Sequence, residues 1–154
     1  MKKGMRILIA YDGSEPSKHA LEQGMSLAKL TNSEVTVVSV VPRIMIPVFT
    51  DVGAGASMYS GQEMADVQED MRDYYSESLK EASEELTKKY PKLQVKTELL
   101  EGRPSKSIVD MAENDGFDLI VIGSRGLGGI TGWILGSTSS KVVESCTVPV
   151  LVIK

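Results

Sequence analysis

Residues 118–138 read DLIVIGSRGLGGITGWILGST, an apolar run followed by a glycine-rich loop and the start of a polar run. The apolar residues 119–122 predict a buried strand, and the hydroxyl residues from Ser137 predict the first turn of a helix. A strand, a glycine-rich loop and a helix in this order are typical of phosphate sites, because glycines let the backbone approach a ligand and unpaired N–H groups of the first turn face the anion. The sequence therefore predicts a nucleotide-binding loop.

The rest of the chain alternates between strand and helix patterns. Apolar or alternating segments predict strands at residues 5–11, 34–41, 93–100, 118–122 and 148–153. Helical spacing predicts helices at residues 15–30, 63–90, 104–115 and 137–145. This alternation predicts a single α/β domain over residues 1–154, a Rossmann-like fold with one open five-stranded parallel sheet and helices on both faces. In the strand order 3-2-1-4-5, the ends of the first and fourth strands share the crevice where ligands bind such sheets.

Two segments between the predicted strands carry further expectations. Residues 42–62 contain prolines, glycines and apolar residues without a period, which is typical of a mobile insertion. Two interpretations of this insertion stay open: a flap over the sheet, and a lid or partner-binding surface. The long helix 63–90 is expected to bury one apolar stripe. The predicted stripe is Met64, Val67, Met71, Tyr74, Ser78, Ala82 and Leu86.

Composition narrows the class of protein. The chain has 154 residues and a net charge of -4, which is typical of one acidic globular domain. Lysines and arginines form no basic face, so no nucleic-acid partner is expected. No apolar run approaches the length of a membrane span, and no membrane partner is expected. The only cysteine is Cys146, which excludes an internal disulfide, and together these features favour the cytoplasm.

Three motifs carry a resemblance to a known family. Gly123, Gly126 and Gly136 followed by Ser137 fit the pattern Gly-x2-Gly-x9-Gly-Ser. Residues 7–14 read ILIAYDGS, and residues 148–153 read VPVLVI. In this layout the chain resembles the universal stress proteins of the UspA type, in their ATP-binding form, over its whole length.

The resemblance implies a set of binding residues. Ala10 and Val40 would line an adenine pocket and offer backbone groups to the base. Asp12 would lie near the ribose and phosphates, and since a carboxylate repels phosphate unless a cation lies between, it suggests Mg²⁺ or Mn²⁺; the alternative is a turn or helix-capping role for Asp12. The ribose and phosphate contacts would come from Gly123, Ser124, Arg125, Gly126, Leu127, Gly128, Gly129, Gly136, Ser137, Thr138 and Ser139.

The function predicted from these motifs is that of an ATP-binding sensor or regulator in a stress response. The loop lacks the Gly-Lys-Ser/Thr of a Walker A motif, so a Mg-dependent ATPase or phosphotransferase would be slow, and a true enzyme is not the leading interpretation. A third alternative is an AMP- or cyclic-nucleotide-binding dimeric interaction protein. The resemblance implies a homodimer through residues 148–153, whose apolar edge needs cover. A further protein partner is left open.

Overall fold

The described part of the chain forms one five-stranded parallel sheet with helices on both faces. The computed structural model describes residues 4–45, 60–125 and 134–154. The strands are β1 (Arg6–Ala10), β2 (Glu34–Pro42), β3 (Val95–Gly102), β4 (Leu119–Gly123) and β5 (Val150–Ile153). The helices are α1 (Glu15–Thr31), α2 (Gly61–Lys89), α3 (Pro104–Asn114) and α4 (Ser137–Ser145). All strand pairs are parallel, and the order β3-β2-β1-β4-β5 confirms the predicted topology.

The sheet separates two apolar cores, and β1 contributes to both. Ile7 and Ile9 pack into the core under α1 and α2, whereas Leu8 and Ala10 pack into the core under α3 and α4. Successive side chains of a strand point to opposite faces, so a strand covered on both sides needs a continuous apolar run. This is why residues 7–10 carry no polar side chain and lie at the centre of the sheet.

Several element bounds differ from the prediction by one or two residues. β3 begins at Val95 instead of residue 93, because α2 ends at Lys89 and the N–H of Leu93 donates to the carbonyl of Tyr90 at 3.1 Å in a turn. β5 begins at Val150 instead of residue 148. The predicted insertion 42–62 contains the end of β2 and the start of α2, and residues 46–59 lie outside the described residues. Its interpretation as a flap or a lid therefore stays a prediction.

The predicted stripe on α2 was wrong in its first half. Ala82 and Leu86 are buried as expected, but Val67 and Tyr74 are about half exposed, at 51% and 50%. The helix buries Tyr75 and Leu79 instead. Gln68, one residue after the expected Val67, is partly buried: its side-chain amide donates to the carbonyl of Pro42 and accepts from the N–H of Ile44, each at 3.0 Å. A polar residue on the inner face thus shifted the apparent stripe by one position.

Candidate functional site

A cavity of about 400 Å³ lies at the carboxyl ends of β1, β2 and β4. β1 has β2 on one side and β4 on the other, so this is the crevice at the point where the strand order reverses. The volume falls in the range of natural small-molecule pockets. The cavity brings together most of the residues that the sequence singled out: Ala10, Asp12, Val40, Gly123, Arg125, Gly136, Ser137, Thr138 and Ser139.

The other sequence-predicted residues lie elsewhere. Ser124 is buried beside the cavity and does not line it; its N–H donates to the carbonyl of Ile153 at 2.7 Å, which ties the end of β4 to the end of β5. Gly126, Leu127, Gly128 and Gly129 lie outside the described residues. Their expected phosphate contacts stay predictions.

Sequence reasoning missed about half of the lining. Val38 could have been predicted from the sequence, because it lies two residues before Val40 and shares its face of β2. Tyr75 had no such signal, since its position depends on how α2 is rotated against the sheet. The residues found only from the structure are Tyr11, Ser17, Val38, Pro42, Tyr75, Pro104, Ile108, Ile122, Ile134 and Leu135.

Asp12 lies in the turn between β1 and α1. Its Oδ1 accepts hydrogen bonds from the N–H of Ser14 at 3.0 Å and from the Ser14 hydroxyl at 2.5 Å. Gly13 provides the left-handed backbone of this turn, with φ at 82°. The Ser14 hydroxyl in turn accepts from the N–H of Ser17 at 3.3 Å and caps α1. Asp12 therefore organises the turn, and one edge of its carboxylate is engaged in doing so.

The start of α4 presents backbone donors to the cavity. Gly136 is the N-cap residue, and its carbonyl accepts from the N–H of Ser140 at 2.9 Å as the helix begins. A glycine cap carries no side chain that could satisfy the first-turn N–H groups. Those groups belong to Ser137, Thr138 and Ser139, all of which line the cavity. The positive end of the α4 dipole therefore faces this space.

The carbonyl of Ser124 joins the two ends of the glycine-rich segment. It accepts from the N–H of Gly136 at 2.7 Å and from the hydroxyl of Ser139 at 2.9 Å. Ser139 is almost fully buried, and its hydroxyl also lies 3.1 Å from the Gly136 carbonyl. Because the Ser139 hydroxyl proton is used inside the protein, the donor that this residue can still offer a ligand is its backbone N–H.

Electrostatics at the site centre on Asp12, Arg125 and Tyr75. Asp12 and Arg125 bring one negative and one positive side chain to the cavity wall. Burial raises the pKa of the Tyr75 phenol, and the charges of Asp12 and Tyr74 raise it further, so Tyr75 is neutral at physiological pH. Within the described residues no three His, Cys, Asp or Glu side chains come together. A cation at Asp12 would therefore take its other ligands from water or from a bound molecule.

A comparison with known families decides which family the chain represents. The model of the universal stress protein family matches residues 5–154. The chain belongs to the universal stress protein family. Across the parts that the structure describes, no helix of this universal stress protein is long and apolar enough to span a membrane.

This universal stress protein is similar in sequence to other members of its family. It is 33% identical to a universal stress protein of Methanocaldococcus jannaschii, over 97% of this chain and 81% of the relative. It is 30% identical to universal stress protein YxiE of Bacillus subtilis, over 97% of this chain and 98% of the relative. The matches therefore extend across nearly all of this chain and most of each relative.

Solved universal stress protein structures share the fold. UspA from Lactobacillus plantarum superposes with a TM-score of 0.79 at 24% identity and covers all of both chains. A universal stress protein described in complex with cAMP has a TM-score of 0.68 at 22% identity, covering 99% of each chain. An Arabidopsis thaliana family member described with AMP bound has a TM-score of 0.65 at 17% identity, covering 97% of this chain and 91% of that one. Structure neighbours with this fold thus include adenine nucleotide complexes.

Proposed function

We propose that this universal stress protein binds ATP in the cavity at the ends of β1, β2 and β4 and acts as a nucleotide-dependent sensor or regulator in a stress response. The observation that carries the proposal is the cavity itself, which joins an apolar wall to the positive end of a helix. A nucleotide needs both surfaces, one for its base and one for its phosphates.

The strand order gives the cavity a direction. Val38 and Val40 at the end of β2, with Ile108 of α3, form an apolar wall that suits a purine ring. Ser137 and Thr138 begin α4, the helix that follows β4, and their N–H groups suit phosphate oxygens. β1 lies between β2 and β4, so its end at Asp12 faces the middle of the cavity. Base, sugar and phosphate would therefore lie over β2, β1 and β4 in turn.

A divalent cation fits this arrangement through Asp12. Mg²⁺ is commonly held by one or two carboxylates together with substrate phosphates and water. Asp12 offers one such carboxylate at the cavity wall, and its Oδ1 is stabilised by Ser14. Mg²⁺ or Mn²⁺ bound with the nucleotide would offset the repulsion between this carboxylate and the phosphates.

Adenine nucleotides as a class are favoured by two observations. The apolar wall beside backbone groups suits an adenine, and solved structures of this fold are described with AMP and with cAMP. We expect ATP to bind most tightly, because its three phosphates can use the α4 N-terminus, the Arg125 side chain and an Asp12-bound cation at once. AMP and cAMP are the competing ligands to test beside it.

Rapid turnover is not expected of this site. A general base must be within hydrogen-bond reach of the attacking water, and the best-placed carboxylate, Asp12, already accepts two hydrogen bonds from Ser14. The alternative function of a Mg-dependent ATPase or phosphotransferase therefore predicts slow release of phosphate at most. A rate of roughly 1 per second or more would favour the enzyme over the sensor.

The decisive test is calorimetric titration of nucleotide-stripped protein with ATP and Mg²⁺, with a variant that removes a single backbone donor. Ser137 is the first residue of α4, where proline is well tolerated in helices, and Gly136 before it has φ -61° and ψ 161°, a conformation that a following proline accepts. Ser137→Pro thus removes one N–H from the proposed phosphate site and keeps the helix start. Ser137→Ala is the matched control, because it removes the hydroxyl alone.

We expect ATP to bind the wild type and to bind Ser137→Pro about tenfold or more weakly, since a hydrogen bond to a charged group contributes about 1.5–3 kcal/mol. Ser137→Ala should lose less. If both variants bind ATP as tightly as the wild type does, the phosphates do not bind at the N-terminus of α4. No binding of ATP, AMP or cAMP to a folded wild type would contradict the proposed function.

We further propose that two chains pair through their β5 strands and that the protein works in the cytoplasm. β5 is an edge strand, and Leu151 on it is exposed. A second copy would cover this edge and complete its backbone hydrogen bonds. The proposed ligand ATP and the single cysteine Cys146 are consistent with a reducing compartment.

A further inference from the structure

Tyr75 is a polar side chain of α2 that lines the cavity and has no role in the site as proposed so far. The residue is 8% exposed, so its ring is buried. Among the described residues, every side-chain nitrogen or oxygen that is fully buried has a hydrogen-bond partner. No hydrogen bond joins the Tyr75 hydroxyl to another described residue, so this hydroxyl is not fully buried, and Tyr75 lines the cavity. It is available to a ligand there.

The position of Tyr75 along the cavity follows from how α2 meets the β1–α1 turn. A Cβ placed on Gly13 would lie 2.7 Å from the Ser78 hydroxyl and 3.3 Å from the Tyr74 hydroxyl. This turn of α2 therefore rests directly on the residue that follows Asp12. Tyr75 belongs to the same helical turn and lines the cavity, and the charge of Asp12 acts on its phenol, which places Tyr75 near the end of β1.

The hydrogen-bonding capacity of the Tyr75 hydroxyl suits a pair of ligand hydroxyls. A carboxylate only accepts hydrogen bonds, whereas a neutral phenol both donates and accepts. A tyrosine phenol is neutral at physiological pH, and burial and the nearby Asp12 charge raise the pKa of Tyr75 further. In the proposed orientation, the part of the nucleotide above β1 is the ribose, which presents its 2′- and 3′-hydroxyls side by side.

We infer that Tyr75 is a specificity-determining residue whose hydroxyl recognises the vicinal hydroxyls of the ribose. The inference rests on the proposed function and deepens it: a site with this residue selects ribonucleotides whose 2′- and 3′-hydroxyls are both free. A site built to bond a hydroxyl discriminates against the analogue that lacks it. The site would then prefer ATP to its 2′- and 3′-deoxy analogues, and AMP to 3′,5′-cyclic AMP, in which the 3′ oxygen is esterified.

The test is a titration series with ATP, 2′-deoxy-ATP and 3′-deoxy-ATP, each with Mg²⁺, on the wild type and on Tyr75→Phe. Phenylalanine keeps the buried ring and removes only the hydroxyl, so the fold is retained. Tyr74→Phe is the matched control, since Tyr74 is its exposed neighbour outside the cavity wall. We expect the wild type to prefer ATP over at least one deoxy analogue by roughly threefold to tenfold, the range of one neutral hydrogen bond.

In Tyr75→Phe that preference should fall to near parity, while the affinity for the same deoxy analogue stays unchanged. Tyr74→Phe should retain the wild-type ratio. If Tyr75→Phe weakens all three nucleotides equally, or leaves every ratio unchanged, the hydroxyl does not contact the ribose and the inference fails while ATP binding stands. If the folded wild type binds none of the three, the proposed function and this inference fail together.

Discussion

At the scale of single residues, Gly123 shows how one position serves both packing and the site. The sequence indicates a glycine that lets a ligand approach the backbone at the end of β4. In the structure a Cβ at Gly123 would also lie 2.9 Å from the carbonyl carbon and oxygen of Pro16 in α1. Backbone atoms cannot move aside as a flexible side chain does. Gly123 is therefore required by the packing of α1 against β4 before any ligand is considered.

Gly123→Ala should destabilise the protein by about 1–3 kcal/mol, because an overpacked contact forces α1 away from β4. Urea unfolding measures this loss as a lower midpoint. Gly61→Ala is the matched control: a Cβ at Gly61 meets nothing within 4 Å at the start of α2, so its midpoint should stay the same or rise slightly. Equal unfolding midpoints for the two variants would show that the backbone of α1 at Pro16 moves away from the added methyl group without a loss of stability.

Tyr75 is one residue that should make the stability of the protein depend on pH. Burial raises the pKa of its phenol above the ordinary value of 10.0, so above that pH the folded chain holds a proton that the unfolded chain has lost. The free energy of unfolding then falls as pH rises through this range, and below pH 10 the effect is absent. Tyr75→Phe should lose stability less steeply than the wild type between pH 9 and 11 in urea unfolding. Parallel curves would mean that the phenol ionises equally in both states.

Tyr75 also marks the limit of sequence reasoning at this scale. Val67 and Tyr74 fit a helical spacing as well as Tyr75 and Leu79 do, and they are apolar or aromatic, so the pattern favoured them. In the structure α2 buries Tyr75 and Leu79 instead, and the amide of Gln68 bonds to the backbone of Pro42 and Ile44 at the end of β2. A hydrophobicity pattern does not include a glutamine in an apolar stripe, although here its side chain faces inward and bonds to the backbone at the end of β2.

At the scale of elements, the junction of β4 and α4 depends on one carbonyl. The Ser124 carbonyl accepts from Gly136 and from Ser139 and so fixes where the helix starts relative to the strand. The sequence predicted α4 with its bounds intact, because hydroxyl residues after a glycine are a strong helix start. It did not predict that the Ser139 hydroxyl would be used for this junction, since that bond links residues on two different elements.

Ser139→Ala should cost about 1 kcal/mol of stability, because it removes one buried hydrogen bond while the Ser124 carbonyl keeps its bond from Gly136. It should also weaken ATP binding severalfold, since the first turn of α4 is no longer tied to β4. Ser140→Ala is the neighbouring control, whose exposed hydroxyl only approaches Glu144 at 3.4 Å. Thermal unfolding and calorimetric titration measure the two effects. A Ser139→Ala variant that matches Ser140→Ala in both would contradict the role of this junction.

At the scale of the whole molecule, the parallel sheet was predictable, and its strand order was a hypothesis. Strands separated by helices favour parallel pairing with right-handed crossovers, and in the order 3-2-1-4-5 the two candidate motifs at Asp12 and Gly123 share one crevice. The structure confirms that order. The other side of the cavity was not predictable, because Tyr75, Pro104 and Ile108 reach it through the packing of α2 and α3 on the sheet.

The edge of the sheet provides the last prediction, which concerns assembly. β5 pairs with β4 alone among the described strands, and Leu151 on this edge is 37% exposed. We expect sedimentation to give twice the chain mass of 16.7 kDa for the wild type. Leu151→Lys should shift the protein toward the monomer, because a charged side chain on an edge strand opposes pairing. Leu30→Lys changes an equally large leucine, 85% exposed at the end of α1, and should leave the mass unchanged. A wild-type monomer would contradict the proposed dimer, and a dimer that survives Leu151→Lys would place the contact elsewhere.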